Sequence, residues 1–452
     1  MVGLVVRDGG VLTVSGAAGR RLRLPLWQRA EPRQGLRVNC AQFTLQMSII
    51  FCVGLTIGTE RTVGPLIGSS IFHVRSFTYI ASFVVSFGVV KAALNLVGGR
   101  LAERFGRRPL LVAGWVVAIP IPLLIIAAPD WSWVVLANIL LGVNQGLAWS
   151  MSVNAKIDLV GSARRGLAVG LDEAGGYGGV AVAALVTGYL AAAYGLRPAP
   201  FLLALAVILL ALGLTALLME ETLPYARIEV SPRGGDASVS PTPGFRQIFA
   251  LASFRDRTLF AVSQAGLIEK FVDALVWVAY PLYLAARHLP VERIGAVVFV
   301  YGIVWGLAQI PAGHLADVIG RKPPIVVGML TCGVGVLAVP LVTGFGPWIA
   351  AAPATGLGMA LLYPNLMTAA ADASHPSWRA TGLGVYRFWR DGGYAVGALF
   401  LGLVANSVGL AASYYGVAAA MGASAVVVIA LMTETHPGRR SPADPLRRGR
   451  TT

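Results

Sequence analysis

An all-α polytopic membrane protein, with twelve transmembrane helices in two pseudo-symmetric six-helix halves, is the fold class this sequence predicts. Three observations carry that reading. Of 452 residues, 56% are hydrophobic and only 13% are charged, about half the charged share of a typical soluble protein. Many apolar runs reach roughly 20 residues, the length of a helix that crosses a bilayer, and most lack the polar face that a soluble helical repeat needs. A short pattern also occurs twice, half a chain apart, and marks an internal repeat.

In chain order, residues 1–38 form a basic tail with no long apolar core or cleavage site, expected to be weakly ordered. The first half, residues 39–219, holds spans at about 41–63, 77–97, 109–128, 133–154, 167–193 and 200–219. Pro109 and Pro200 stand at span starts, where a missing N–H costs little. Residues 220–255 are rich in Pro, Gly, Ser and Asp and read as a linker, with a short surface helix near 245–254. The second half, residues 256–432, holds spans at about 258–285, 294–312, 324–343, 348–371, 381–405 and 410–432. A basic tail follows at 433–452.

The repeat rests on three landmarks. Gly98–Leu110 reads GGRLAERFGRRPL and Gly313–Pro324 reads GHLADVIGRKPP. A constant shift of 214 carries Gly99, Glu103, Arg107 and Arg108 onto Gly313, Asp317, Arg321 and Lys322. GlyGlyTyr occurs at 175–177 and again at 392–394, and Met-Glu-Glu-Thr at 219–222 resembles Met-Thr-Glu-Thr at 432–435. A helix ending in Gly98-Gly99 can turn sharply there, because glycine tolerates positive φ. The doubled pattern resembles the loop signature of the major facilitator superfamily, found between helices 2 and 3 and echoed between helices 8 and 9, over about Asn39 to Thr435. That resemblance implies a gating role for the two loops: Gly99, Glu103, Arg107 and Arg108 in the first, Gly313, Asp317, Arg321 and Lys322 in the second. It also implies binding near the midplane between two halves that rock to alternate access. The bland reading is that the loop arginines only anchor topology.

A net charge of +15 might point to nucleic acid, but its distribution argues against that partner. About 27 of the 36 Lys and Arg fall on one set of alternating loops and both tails, which places those loops and both termini in the cytoplasm of a cell-membrane protein. Cys40, Cys52 and Cys332 show neither a disulfide framework nor metal spacing. With no nucleotide loop, metal-ligand cluster or nucleophile motif, neither an enzyme nor a cofactor or metal is expected. The expected partners are the lipid bilayer, a small-molecule substrate and protons, and a monomer suffices for this architecture.

Charges inside spans are costly unless paired or hydrated, so each is a functional candidate. Glu173, Glu269, Asp273 and Asp391 are the proton-coupling candidates. Lys91, Arg387 and Arg390 are candidate ligands for substrate, with Asn144, Gln145, Trp305 and Trp389 as further lining. Glu269 and Asp273 share a helix face, and Arg387 has the spacing to pair with Asp391 in its own helix. The GlyGlyTyr alignment sets Glu173 opposite Arg390, which suggests pairing across the cavity. Lys270 lies beside Glu269, and Glu60 and Arg61 lie where they can reach interface water. The competing reading makes all of these internal salt bridges that keep polar helices buried.

Drug exporters of the resembled superfamily carry an Arg three residues before a Gln-Gly pair in span 4; here that position is Gly142, ahead of Gln145-Gly146. They also carry a Gly-Pro pair in span 5, and this span 5 has no proline. The function expected is secondary active transport of a small organic solute by alternating access, coupled to protons, with the loop signature and aromatic content favouring efflux. The alternatives are proton-coupled uptake of an anionic metabolite and a transporter-like sensor or scaffold that moves nothing. With single cysteines introduced, Ser162→Cys and Ser238→Cys are expected to label from inside only and Ser69→Cys from outside only; labelling at position 238 from outside would sink the topology.

Overall fold

The computed structural model describes residues 4–5, 13–15, 21–23, 33–161, 165–230, 243–375 and 378–436. In the N-terminal tail, β1 (Leu4–Val5), β2 (Thr13–Ser15) and β3 (Arg21–Arg23) pair as a small antiparallel sheet. The rest of that tail to residue 32, Ser162 and Ser238 lie outside the described residues.

The other elements among the described residues are helices. The first half comprises α1 (Cys40–Leu66), extended by a π turn at Ile67–Ile71, then α2 (Phe77–Phe105), α3 (Arg107–Ala118) and α4 (Pro120–Ala127). Next come α5 (Trp131–Val160), α6 (Arg165–Tyr194) and α7 (Ala199–Gly213), which ends in a π turn at Leu214–Leu218. Helices α3 and α4 form one crossing, interrupted at Pro120, whose ring removes a hydrogen bond from the helical ladder. The linker carries α8 (Leu223–Val230), which periodicity did not reveal, and α9 (Phe245–Ala250) with a π turn at Leu251–Arg255, where a surface helix was expected. The second half comprises α10 (Arg257–Ala285), α11 (Val291–Ile319), α12 (Lys322–Leu341), α13 (Phe345–Ala373), α14 (Arg379–Ser407) and α15 (Leu410–Leu431).

Among the described residues these helices make twelve crossings, six in each half. Ten are long and apolar enough to span a membrane by length and composition alone. The two that fall short, α10 and α14, carry Glu269, Lys270, Asp273, Arg387, Arg390 and Asp391. Charge, not length, is what sets them apart, and both lie at the centre of the molecule.

Within each half the GlyGlyTyr landmark is a close-packing site. A Cβ on Gly54 of α1 would overlap the Gly176 carbonyl oxygen, and one on Gly393 would overlap that of Leu267 on α10. Small residues let these backbones touch, as in other membrane bundles. Between the halves, α2 packs on α14 and α6 on α11. The packing is tight at the end remote from the tails: Asn406 accepts from Phe77 N–H at 2.8 Å and donates to Thr78 Oγ1 at 2.7 Å. At the tail end, Gly98, Gly99 and Gly313 face open space.

The repeated loop turns later than expected. Helix α2 runs through Gly98-Gly99 to Phe105, and the chain reverses at Gly106 (φ +86°); the second copy reverses at Gly320 (φ +99°). Each turn exposes the first N–H groups of the next helix, which need an acceptor. Glu221 supplies it in the first half, accepting from Arg107 N–H at 3.0 Å and Arg108 N–H at 3.1 Å. Glu434 does the same for Arg321 at 2.8 Å and Lys322 at 3.1 Å. These acids are the third landmark of the repeat, and their work is to cap helices with negative charge.

Burial pushes the Glu434 carboxyl up, but backbone N–H groups of Arg321, His436, Lys322 and Thr435 outweigh it and hold the group below its ordinary range. Its contribution is therefore fully present above the ordinary glutamate value of about 4.3 and is lost as pH falls through the folded value. Melting curves in detergent should show Glu434→Gln with a shallower acid loss than the parent; parallel acid limbs would contradict the cap. Gly106→Ala, which drives a methyl to 2.4 Å from Glu221 Oε2 at a positive φ, should cost about 1–3 kcal/mol.

Candidate functional site

The tail-end loops hold ion pairs that the sequence only partly revealed. Arg107 turns to Asp158 of α5: Nε lies 2.8 Å from Oδ2 but poorly aligned, and Nη2 donates to Oδ1 at 3.4 Å. Glu103, the acid of that loop, is exposed and forms no ion pair among the described residues. In the second copy Arg321 pairs with Asp317 at 2.6 Å and lies 3.4 Å from Asp372, the repeat equivalent of Asp158. Arg108 donates to the Ala216 carbonyl at 2.5 Å and Lys322 Nζ to that of Ile429 at 2.8 Å, so both bases tie their loop to the last helix of its half.

At the centre, seven charged side chains alternate in sign. Lys91 Nζ of α2 lies 3.6 Å from Asp391 Oδ2, and Asp391 Oδ1 accepts from Arg390 Nη1 at 3.0 Å. Arg390 Nε donates to Glu269 Oε2 at 3.2 Å, and Glu269 Oε1 lies 3.3 Å from Lys270 Nζ, an ionic contact without hydrogen-bond alignment. Lys270 lies 3.5 Å from Asp273, which takes two bonds from the Arg61 guanidinium of α1 and one from Tyr394 Oη. All seven side chains are at most 9% exposed. The two ends of this run, Arg61 and Lys91, belong to the first half, and the middle five to the second. Removing one partner from such a pair strands a charge, whereas an intact run offsets its own desolvation.

Several expected pairings are replaced. Asp391 takes Arg390 and Lys91, with Asn95 donating at 2.9 Å, rather than Arg387. Arg390 turns to acids of its own half and not to Glu173. Glu173 instead accepts from Tyr363 Oη at 2.6 Å and Trp149 Nε1 at 3.1 Å, both on Oε1, while its Oε2 has no partner. Neither Glu60 nor Arg61 reaches interface water: Glu60 is buried and accepts from Asn138 at 2.9 Å, and Arg61 is buried against Asp273 with its guanidinium over the Trp277 ring. Lys270, to which the sequence gave no role, lies between two acids. Signals for Arg61 and Lys270 stood in plain view, since an isolated charge in an apolar run implies a partner.

Trp305 stacks on Tyr177 at 3.6 Å between ring centroids, and Tyr177 Oη accepts from Lys270 at 3.4 Å and Arg390 at 3.3 Å. Trp389 turns away from the centre, donates to Ser253 at 2.7 Å and packs on Phe249 and Phe254 beside the linker. Asn144 bonds the Gly114 carbonyl at 2.9 Å and Gln145 that of Val53 at 3.3 Å, so both join helices within the first half. A separate buried pair, Lys156–Asp172 at 2.6 Å, links α5 to α6.

A small cavity of about 20 Å³ borders the run on its tail side. Lys91, Arg387, Arg390 and Asp391 line it together with Asn95, Trp149, Tyr177 and Tyr363. Arg387 is half-buried, bonds only the Met367 sulfur at 3.7 Å and has no carboxylate partner among the described residues. The arrangement can hold a small polar solute against aromatic faces and exchange its charge with the protein's own.

A sequence model described as Major Facilitator Superfamily matches residues 49–269 and 262–448. No curated protein matches in sequence. Among solved structures, the chain is similar to the xylose transporter XylE from E. coli in an inward open conformation, with TM-score 0.69 and 15% identity over 88% of this chain and 98% of that one. It is also similar to the nucleoside transporter NupG, with TM-score 0.67 and 13% identity over 86% and 100%. A POT family transporter in complex with a thioalcohol-conjugated peptide gives TM-score 0.65 and 13% identity over 86% and 95%. At these identities the likeness is one of fold.

If Arg61 and Asp273 act as one unit, Asp273→Asn should cost about 3–5 kcal/mol, and the double change Arg61→Gln/Asp273→Asn should cost less than the sum of the single ones by at least about 1 kcal/mol. Thermal unfolding of the four proteins in detergent measures this; strictly additive losses would disprove the coupling.

Proposed function

The chain belongs to the Major Facilitator Superfamily, and we propose that it moves a small organic solute by alternating access, driven by exchange of a proton at Glu173. It is a multi-pass membrane transporter and not an enzyme. The observation that carries the coupling is that Glu173 has no ion pair among the described residues and is bonded to Trp149 and Tyr363 of the cavity wall; Glu60, also buried without a base, bonds Asn138, which does not line the cavity. Glu269, Asp273 and Asp391 each contact two bases. Glu173 has only neutral donors on one oxygen and nothing on the other. An ionised carboxylate buried without a counter-ion is costly, so this is the acid suited to load and release a proton beside the cavity.

The positive-inside distribution puts the tail end in the cytoplasm. The conformation is then closed outside, where Asn406 ties α14 to α2, and looser inside. Rocking to the opposite state must release the Arg61–Asp273 contact between halves and close the loops around Arg107 and Arg321. Efflux remains the reading favoured by the loop signature and the aromatic lining. Three bases against one acid around the cavity favour a second reading, proton-coupled uptake of an anionic metabolite.

The test compares small molecules inside cells and in their medium for deletion, parent and Glu173→Gln strains, with and without a protonophore. A solute whose distribution follows the protein and collapses both with the protonophore and in Glu173→Gln is the expected result, and the sign of its gradient gives the direction. A gradient that survives in Glu173→Gln overturns the coupling residue, and no protein-dependent solute at all favours a sensor.

A further inference from the structure

We infer that the cavity beside Lys91 and Arg387 is a carboxylate site, which takes an organic anion with a flat apolar body and releases Lys91 from Asp391 when it is filled. The inference rests on the reading of this chain as a transporter and names the chemical class of its solute.

Charge balance comes first. The alternating run contains four bases, Arg61, Lys91, Lys270 and Arg390, and three acids, Glu269, Asp273 and Asp391. Arg387, beside it on the cavity wall, adds a base with no acid of its own. A low-dielectric site with surplus positive charge calls for an anion, and burying that surplus uncompensated is costly. Asp391 cannot serve both neighbours equally. It holds Arg390 at 3.0 Å and accepts from Asn95 at 2.9 Å, but reaches Lys91 only at 3.6 Å. Lys91 is therefore the loosely held end of the run, kept in place largely by the Phe87, Trp149 and Tyr394 rings at 5.4–5.6 Å.

A carboxylate entering from the tail side meets Arg387 and Lys91 on the same cavity. Arg387 presents a planar fork that suits two-point binding of a carboxylate, and Lys91 is a point charge that can turn from Asp391 to the newcomer. Asp391 loses little, because Arg390 and Asn95 still satisfy it. Trp149 and Tyr363 supply aromatic faces on the same wall for a flat ligand body, which needs the small cavity to widen as the site fills. The exchange also has a mechanical consequence: Lys91–Asp391 joins α2 to α14 across the halves, so filling the site loosens one of the two ionic links that hold the halves together. Binding energy is thereby applied to the rocking step.

Proton and anion should also help each other. Glu173 is surrounded by Lys91 of α2, Trp149 and Lys156 of α5, its neighbour Asp172, Tyr363 of α13 and Arg390 of α14. Neutralising it removes the negative charge nearest the cavity that no base holds. By linkage, protonation then strengthens anion binding and anion binding favours protonation, which is the relation a symporter needs and belongs to the uptake reading rather than the efflux one.

The experiment measures binding of benzoate, 4-hydroxybenzoate and phenylacetate to the purified full chain by tryptophan fluorescence and thermal shift, with benzamide as the neutral counterpart. The carboxylates are expected to bind at least about tenfold tighter than benzamide. Lys91→Gln and Arg387→Gln should each lose about tenfold or more for carboxylate and little for the amide, and Arg387→Lys should recover part of the loss. Parent affinity should weaken with rising pH, and Glu173→Gln should remove that dependence. Equal binding of amide and carboxylate, no carboxylate binding up to about 10 mM, or unchanged affinity in both Gln variants overturns the site. Failure here is separable from failure of proton coupling. Carboxylate binding that depends on Lys91 and Arg387 stands even if Glu173→Gln keeps its solute gradient, and a gradient lost in Glu173→Gln stands even if carboxylates do not bind.

Discussion

The interaction on which the rest depends is the buried run of opposite charges from Lys91 to Arg61. Seven ionised groups away from water are tolerable only because each acid lies between bases and most hydrogen-bonding positions are filled. That requirement explains why α10 and α14 are poor membrane helices by composition yet sit at the centre of the bundle. Their charges face one another and the cavity, while α14 turns Val396, Leu399 and Leu403 outward. It also explains why the halves cohere, since both ends of the run are supplied by the first half and the middle by the second.

Pseudo-symmetry organises the periphery and is broken at the centre. Arg107, Asp158 and Glu221 recur as Arg321, Asp372 and Glu434, with the same contacts at the same helix ends. Such sites have one task, to stop a helix at a glycine with positive φ and to fasten the loop to its own half, so duplication preserves them. GlyGlyTyr keeps its packing role in both copies too, but its tyrosines diverge. Tyr177 accepts from Lys270 and Arg390, whereas Tyr394 donates to Asp273. A cavity that must grip one asymmetric solute cannot be built from two identical walls.

The contrast between the two ends of the bundle follows from the same economy of contacts. At the far end, backbone and small polar side chains of α2 and α14 interlock, which is rigid and needs no charge. At the tail end the contact of the halves stops near Asn95 and Leu96, the glycines beyond face open space, and what holds each loop is internal to its half. A molecule built this way can open at one end without dismantling either half, and the ionic links at its centre set how much free energy the motion must find.

The sequence alone determined the class, the twelve crossings, the doubled loop and which residues put charge inside the bundle. These follow from local rules: an apolar run of about 20 residues has few options but to cross a bilayer, and a repeat is visible wherever it occurs. Spacing along one helix also brought Glu269 and Asp273 to one face. Only the tertiary structure decided who pairs with whom. It turned Arg107 to Asp158 rather than Glu103, sent Asp391 to Arg390 and Lys91 rather than Arg387, gave Arg61 a partner 212 residues away and took Trp389 out of the cavity. The physical reason is that a buried charge takes whichever opposite charge the packing brings within reach, and that choice is made between helices, where sequence distance carries no information.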